Sequence, residues 1–131
     1  MKIFRPVKTE DKLDLVLYNS SVKNPRAVIF LVHGMGEHAK RYEHVVEYFK
    51  NVNIASVAID LRGHGNSEGQ RGHMPSFDHM MNDLTLALAH VTHNYKGIPL
   101  FLYGHSMGGN LILNYLLRNA DGAMGAIATG P

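Results

Sequence analysis

The stretch that decides the fold is Pro99-Leu100-Phe101-Leu102-Tyr103-Gly104-His105-Ser106-Met107-Gly108-Gly109. It joins a short apolar run to the pattern G-x-S-x-G, and a second apolar segment, residues 110–117, follows directly. This order predicts a strand, a sharp turn and a helix, with Ser106 at the apex of the turn. Gly104 and Gly108 allow the strand and the helix to approach without a Cβ clash. The pattern therefore predicts that Ser106 is an exposed nucleophile.

The composition limits the class of protein. The chain has 131 residues, 45% of them hydrophobic and 18% charged, which is typical of one globular domain. A net charge of +2 without a basic cluster argues against a nucleic-acid partner. The absence of cysteine excludes disulfides, thiolate metal sites and cysteine nucleophiles. With no apolar signal at the start and no membrane-length run, we expect a cytoplasmic protein; contact with a membrane stays open.

Four apolar runs predict a parallel sheet. Residues 27–32 are apolar without alternation, which is typical of a strand buried on both faces. Residues 54–59, the run before Ser106 and residues 123–129 predict three more strands, with helical spacing between them. Residues 1–24 predict two further short strands. The last predicted strand has no later partner in these 131 residues, so we expect an unpaired edge that self-associates or takes up a complementing chain.

Three helices separate these strands. The first is predicted over residues 40–49, and the last from Ser106 to about Asp121. For the second, Ser76 is the predicted N-cap. Its predicted inner face comprises Phe77, Met81, Leu84, Leu88 and Val91. We expect most of the methionines near these segments to fill the core, namely Met80, Met81, Met107 and Met124.

Two glycine turns follow the first and the third of these strands. Ligands of open parallel sheets bind at the carboxyl ends of the strands, where the winding direction reverses. The turn after Val32 and the turn after Tyr103 both lie at such ends. If the two strands are neighbours, the two turns face one crevice. This adjacency is a prediction about the fold that comes from the chemistry of the motif.

Three motifs, in order, give the chain a family resemblance. They are His33-Gly34-Met35-Gly36-Glu37-His38 with Arg41-Tyr42, then Asp60-Leu61-Arg62-Gly63-His64-Gly65-Asn66-Ser67-Glu68-Gly69, and Gly104-His105-Ser106-Met107-Gly108-Gly109. The chain resembles the α/β-hydrolase superfamily and, within it, the monoacylglycerol lipase and lysophospholipase-like group, of the serine aminopeptidase S33 type. The resemblance implies an incomplete α/β-hydrolase fold of the α/β class. It has a mostly parallel sheet, helices on both faces and an N-terminal antiparallel strand pair.

The resemblance also implies a site and a reaction. Ser106 would be the acyl-accepting nucleophile of a serine ester hydrolase, and the backbone N–H groups of Met35 and Met107 would form the oxyanion hole. The residues expected to support the site are His33, Gly34, Gly36, Glu37, Arg41, Gly104 and Gly108. No cofactor and no metal is implied, and the substrate would be a small acyl ester or lipid. We interpret Glu37 and Arg41 as an ion pair at helical spacing.

Two parts of the family's catalytic triad are not found after the nucleophile. The acid and the histidine normally follow the serine in the chain. Residues 107–131 contain no histidine, and Asp121 is their only carboxylate. The sequence therefore resembles the N-terminal portion of one such domain over residues 1–131, without its lid and C-terminal strands. Because a serine hydroxyl without a base is a poor nucleophile, we expect this chain to be inactive by itself.

Other readings stay open. An aminopeptidase of the same fold would differ in the missing lid, and a non-catalytic binding module would only capture a ligand in the crevice.

We expect several other polar residues to have structural rather than catalytic roles. We expect Asp60 to cap backbone N–H groups in the loop at 62–65, and His33 to brace its own turn. His90 and His93 are expected on a solvated helix face rather than at a metal.

Overall fold

The computed structural model describes residues 1–4 and 6–131. Four short strands come first, β1 (Lys2–Ile3), β2 (Val7–Lys8), β3 (Asp14–Leu15) and β4 (Leu17–Ser20). The remaining elements are β5 (Ala27–Val32), a 3-10 helix (Ala39–Tyr42), α1 (Glu43–Asn51), β6 (Ile54–Ile59), α2 (Phe77–Asn94), β7 (Leu100–His105), α3 (Met107–Arg118) and β8 (Gly125–Thr129).

One sheet holds most of the strands, in the order β1-β4-β6-β5-β7-β8. Strand β5 pairs in parallel with both β6 and β7, and β7 pairs in parallel with β8. Strand β4 runs antiparallel to β6 and to β1, while β2 and β3 form a separate antiparallel pair. The mostly parallel sheet and the antiparallel N-terminal strands confirm the predicted fold class.

Strand β5 lies at the centre of the core, and all of its residues are buried. Val28, Phe30 and Val32 belong to a large cluster that includes buried residues of α2 and α3. Leu31 belongs to a smaller cluster with Val46 of α1. Because successive strand residues point to opposite faces, helices cover β5 on both sides. This explains the absence of alternation in its sequence.

The N-terminal segment differs from the prediction. Its described residues form four strands rather than two, and β1 to β3 have only two residues each. A strand of that length shows no alternation that a sequence could reveal. The turn between β2 and β3 depends on Thr9, whose hydroxyl accepts a hydrogen bond from the Leu13 N–H at 2.9 Å.

Helix α2 begins as predicted, but its inner face differs. The Ser76 hydroxyl accepts the His79 N–H at 3.2 Å, which confirms the N-cap. Phe77 is 40% exposed, so its predicted place in the core is wrong. It lies in the first turn beside α3, where the Arg118 guanidinium is 5.4 Å from its ring. The buried residues of the helix are Met80, Met81, Asp83, Leu84, Ala87, Leu88 and Val91.

Helix α3 and the segment after it bring two more corrections. The helix ends at Arg118 rather than near Asp121. At its end the Asn119 side chain donates to the Tyr115 carbonyl at 2.9 Å, a local bond that competes with continued helix. Met124 is 74% exposed just before the edge strand, so its predicted core role is wrong, whereas Met80 and Met81 are buried.

The order of the strands sets the position of the crevice. From β5 the chain continues to β6 on one side, and from β7 it continues to β8 on the other side. The winding therefore reverses between β5 and β7, and their carboxyl ends form the ligand-binding edge expected of such sheets. Within the described part of the chain, no helix combines the length and the apolar character needed to cross a bilayer.

The open edge of β8 generates a prediction about association. Its residues carry no charge and no proline, and Ile127 is 46% exposed. Such an edge offers unpaired N–H and C=O groups to another strand. We expect the 131-residue chain to associate with increasing concentration in sedimentation velocity, and Ile127→Lys to weaken this association. Tyr48→Lys, at an exposed position of α1, is the matched control. A monodisperse monomer at every concentration would contradict the prediction.

Candidate active site

Ser106 stands between β7 and α3 in a conformation that side chains rarely adopt. Its φ is 53° and its ψ is −120°, and the residue is exposed. Its hydroxyl makes no capping hydrogen bond to α3, while its own N–H donates to the Thr129 carbonyl at 2.8 Å. Strain of this kind costs about 1–3 kcal/mol and clusters at functional sites. The turn therefore holds the Ser106 hydroxyl clear of the backbone of α3.

The two flanking glycines are required by close main-chain contacts. A Cβ on Gly104 would lie 2.4 Å from the Gly108 carbonyl oxygen. A Cβ on Gly108 would lie 2.1 Å from the Val32 carbonyl oxygen and 2.5 Å from that of His33. All of these neighbours are backbone, so no side chain can move to make room. The first turn of α3 thus packs directly on the end of β5.

The loop after β5 lies against Ser106. Val32 and Gly104 are register partners in the parallel pair of β5 and β7, which confirms the predicted adjacency of the two strands. A Cβ on Gly34 would lie 3.2 Å from the Ser106 Cβ and 3.3 Å from the His105 carbonyl oxygen. Gly36 has a φ of +70°, which glycine adopts without strain. The two glycine turns therefore share one crevice.

Two main-chain N–H groups belong to the segments that border this crevice. The Met107 N–H opens α3, where the first N–H groups have no partner inside the helix. The Met35 N–H lies in the loop next to Gly34. Met35 itself is 52% exposed. Beside this loop is a cavity of about 320 Å³, which Met35, His38, His64 and Arg71 help to line.

The Glu37 carboxylate connects the loop after β5 with the 3-10 helix. One oxygen accepts the Gly34 N–H at 2.9 Å and the Tyr42 hydroxyl at 2.7 Å. The other lies 3.3 Å from Arg41 Nε, which confirms the predicted ion pair. Burial alone would raise the pKa of Glu37, but the hydrogen bonds from Tyr42 and Gly34 and the charge of Arg41 lower it below the usual value. For Tyr42, burial and this carboxylate raise the pKa of the phenol.

His33 is fully buried beneath the same loop. Its Nε2 accepts the Leu61 N–H at 3.0 Å, and its Nδ1 lies 2.7 Å from the Gly34 carbonyl oxygen. Burial lowers the pKa of the ring below its usual value, which favours the neutral imidazole. These bonds bear out the expectation that His33 braces its turn.

Asp60, at the end of β6, caps backbone groups but not those expected. Its carboxylate accepts the N–H of Ala39 at 2.7 Å and that of Asn66 at 2.8 Å, together with the Tyr18 hydroxyl at 3.1 Å. A Cβ on Gly65 would lie 2.2 Å from this carboxylate, so the loop folds tightly around it. Asp60 thus joins the loop after β6 to the 3-10 helix, which starts at Ala39.

A buried ion pair behind this loop was not predicted from the sequence. The Arg62 guanidinium bonds Asp83 of α2 at 2.6 and 2.8 Å, and Asp11 at 2.8 and 3.1 Å. Burial raises the pKa of Asp83, while the hydrogen bond from Arg62 lowers the pKa of Asp11. A polar residue at a helical spacing that otherwise matches the core could have indicated Asp83.

None of the histidines that the structure describes near the crevice is hydrogen-bonded to Ser106. His38 is exposed, and buried His64 has its Nδ1 3.0 Å from the Arg62 carbonyl oxygen. His105 Nδ1 lies 2.9 Å from the Thr129 hydroxyl. Over the described ranges there is also no group of three or more metal-ligating side chains.

The contact between α3 and β5 gives a prediction on stability. Gly108→Ala should lower the free energy of unfolding by about 3 kcal/mol, because the new methyl group meets two fixed carbonyl oxygens. Gly109→Ala is the matched control, since its nearest atom is 3.1 Å away, and we expect a clearly smaller loss. Urea unfolding measures both. Equal losses in the two variants would show that the contact with β5 is not tight.

Glu37 gives a prediction on pH dependence. Its folded pKa is lower than its unfolded pKa, so its stabilisation is complete above the unfolded pKa and disappears as the pH falls through the folded value. Glu37→Gln should therefore cost about 1–2 kcal/mol at pH 7 and progressively less in acid. Urea unfolding over a pH series measures this, with exposed Glu47→Gln as control. A cost that does not change with pH would rule out the carboxylate as its source.

The comparisons with known proteins agree with this geometry. The family model described as serine aminopeptidase, S33, matches residues 23–131. An abhydrolase domain-containing protein of Dictyostelium discoideum is 42% identical over 94% of this chain and 13% of its own length. The monoacylglycerol lipase of Mycolicibacterium smegmatis is 33% identical over 82% of this chain and 39% of its own length.

A solved structure supports the same assignment. The crystal structure of the Paleococcus ferrophilus monoacylglycerol lipase has a TM-score of 0.71 and 34% identity, over 86% of this chain and 42% of that protein. This chain thus spans between 13% and 42% of the length of these three relatives. It belongs to the serine aminopeptidase S33 family, has the α/β-hydrolase fold and is similar to monoacylglycerol lipases.

Proposed function

We propose that the whole protein is a carboxylic ester hydrolase that acts on acylglycerols through an acyl-enzyme on Ser106. The observation that carries the proposal is a strained, exposed serine immediately before α3, in contact with the loop that contains Gly34 and Met35. The names of the lipases among its relatives support the choice of substrate. In this proposal no cofactor takes part, because the hydroxyl and the N–H groups supply the nucleophile and the electrostatic stabilisation.

The proposed reaction has two steps. The Ser106 oxygen attacks the ester carbonyl while a base takes its proton, and the carbonyl oxygen becomes an oxyanion held by the N–H groups of Met35 and Met107. Collapse of this intermediate breaks the bond to the alcohol, which leaves with a proton. Water then attacks the acyl-enzyme in the same way and releases the fatty acid and the free hydroxyl. Losing one such donor costs about 10²–10³ in rate in a comparable site.

The base and its acid partner belong to the whole protein in this proposal. In the chain order of the fold they follow the nucleophile. Loss of the histidine alone costs about 10⁶ in turnover in a serine protease. We therefore propose that residues 1–131 carry the nucleophile and the oxyanion donors and turn over substrate only very slowly by themselves.

An aminopeptidase is the second candidate, and the description of the matching family favours it. The two activities differ in what they require next to the scissile carbonyl. A peptidase needs acidic groups for a substrate α-amine, whereas a lipase needs an apolar channel for an acyl chain. Hydrolysis of a monoacylglycerol and of an aminoacyl-naphthylamide by the whole protein decides between them. A protein that binds either compound without hydrolysing it would be a binding module.

A fluorophosphonate tests the nucleophile directly. We expect slow covalent labelling of the 131-residue chain, with the adduct on Ser106 by peptide mass spectrometry, because the hydroxyl is exposed but has no base. Ser106→Ala should abolish labelling, and Ser21→Ala, a serine in an exposed loop, should leave it unchanged. Labelling that persists at the same rate in Ser106→Ala would contradict the proposal.

A further inference from the structure

The peptide bond between Gly34 and Met35 is held on its carbonyl side by the buried imidazole ring of His33. The Gly34 carbonyl oxygen lies 2.7 Å from His33 Nδ1, and it also accepts the Glu37 N–H at 3.3 Å. On the other side of the same residue, the Gly34 N–H donates to the Glu37 carboxylate at 2.9 Å. Gly34 is thus tied at both of its main-chain polar groups, and neither peptide plane beside it is free to rotate.

The tautomer of His33 follows from its second contact. The Leu61 N–H donates to Nε2 at 3.0 Å, so Nε2 must present a lone pair. In a neutral imidazole the proton then sits on Nδ1 and is donated to the Gly34 carbonyl. The opposite tautomer would set the Nε2 proton against the Leu61 N–H and leave the Gly34 carbonyl without its ring donor. Each unsatisfied buried group of this kind costs about 1–3 kcal/mol, so the first tautomer dominates.

A trans peptide connects this carbonyl to the next N–H. No cis peptide bond is found in the described residues, so the Gly34 carbonyl and the Met35 N–H point in opposite directions from one plane. With the carbonyl turned down to the buried ring, the N–H is turned away from it. Among the described residues the Met35 N–H has no main-chain acceptor, which leaves it free for a ligand.

We propose that His33 is a positioning residue. Its Nδ1–H fixes the Gly34–Met35 peptide so that the Met35 N–H faces outward as an oxyanion donor, and the Leu61 N–H of the neighbouring loop selects the tautomer that does this. This inference rests on the proposed function, since it explains how the Met35 N–H, one of the two proposed oxyanion donors, is oriented. The loop after β6 thereby acts on the site through the ring, without touching substrate.

Two substitutions each keep one of the two hydrogen bonds of the His33 ring and remove the other. In His33→Asn the side-chain amide nitrogen takes approximately the place of Nδ1, so it keeps a donor for the Gly34 carbonyl. In His33→Gln the amide reaches the region of Nε2, so it can satisfy the Leu61 N–H but not the carbonyl. His38→Gln, at an exposed histidine of the same loop, is the matched control. Circular dichroism and urea unfolding of each variant establish that it is folded.

The readout is the amide region of the NMR spectrum of the 131-residue chain after its reaction with the fluorophosphonate. On phosphonylation of Ser106 we expect the amide protons of both Met35 and Met107 to shift downfield, because both N–H groups then donate a hydrogen bond to the phosphoryl oxygen. In His33→Gln only Met107 should shift, and the labelling rate should fall, by about 10²–10³ if the donor is lost entirely. His33→Asn should recover most of both effects, and His38→Gln should match the unsubstituted chain.

A second measurement does not depend on any variant. Long-range nitrogen–proton correlations of the unsubstituted chain, labelled with ¹⁵N-histidine, should show the Nδ1–H tautomer for His33. An Nε2–H tautomer would overturn the inference, and so would a Met35 shift that persists in folded His33→Gln. If the adduct forms elsewhere than on Ser106, or if neither amide shifts in the unsubstituted chain, the proposed function fails instead.

Discussion

The contact on which the site depends is the one between the first turn of α3 and the end of β5. Residue 108 lies so close to the carbonyl oxygens of Val32 and His33 that no side chain fits there. This contact brings the start of α3, with its unpaired N–H groups, next to the loop that follows β5. It also forces the chain to reverse within one residue, which accounts for the strained φ of Ser106. The same short distance therefore produces the apex, the donors and the crevice between them.

The loops around the apex are held by buried polar groups rather than by apolar packing. His33 bonds the main chain of Leu61 and of Gly34, and Glu37 bonds the main chain of Gly34 within its own loop. Asp60 bonds the main chain of Ala39 and of Asn66. Directional bonds to the backbone fix the orientation of individual peptides, which apolar contacts do not. A site that stabilises charge through two N–H groups needs this kind of support, because its donors must be aligned before the charge develops.

Much of this arrangement could be predicted from sequence because its signals are local. The glycines at 104 and 108 and the apolar runs around them indicate strand, turn and helix, and the glycine turn after Val32 indicates the partner loop. What the sequence did not reveal depends on distant segments. The partners of Asp60 come from three places in the chain, and the Arg62 ion pair joins residues 51 and 21 positions away. Phe77 and Met124 look like core residues by type, but both lie where the sheet and its helices end.

We propose above that Ser106 and two main-chain donors, which follow neighbouring parallel strands, act on one ester carbonyl group. A crystal structure of the phosphonylated chain tests this most directly. We expect a phosphoryl oxygen at about 2.7–3.1 Å from the nitrogens of both Met35 and Met107. A phosphoryl oxygen that points to solvent, or that contacts only one of the two nitrogens, would contradict it.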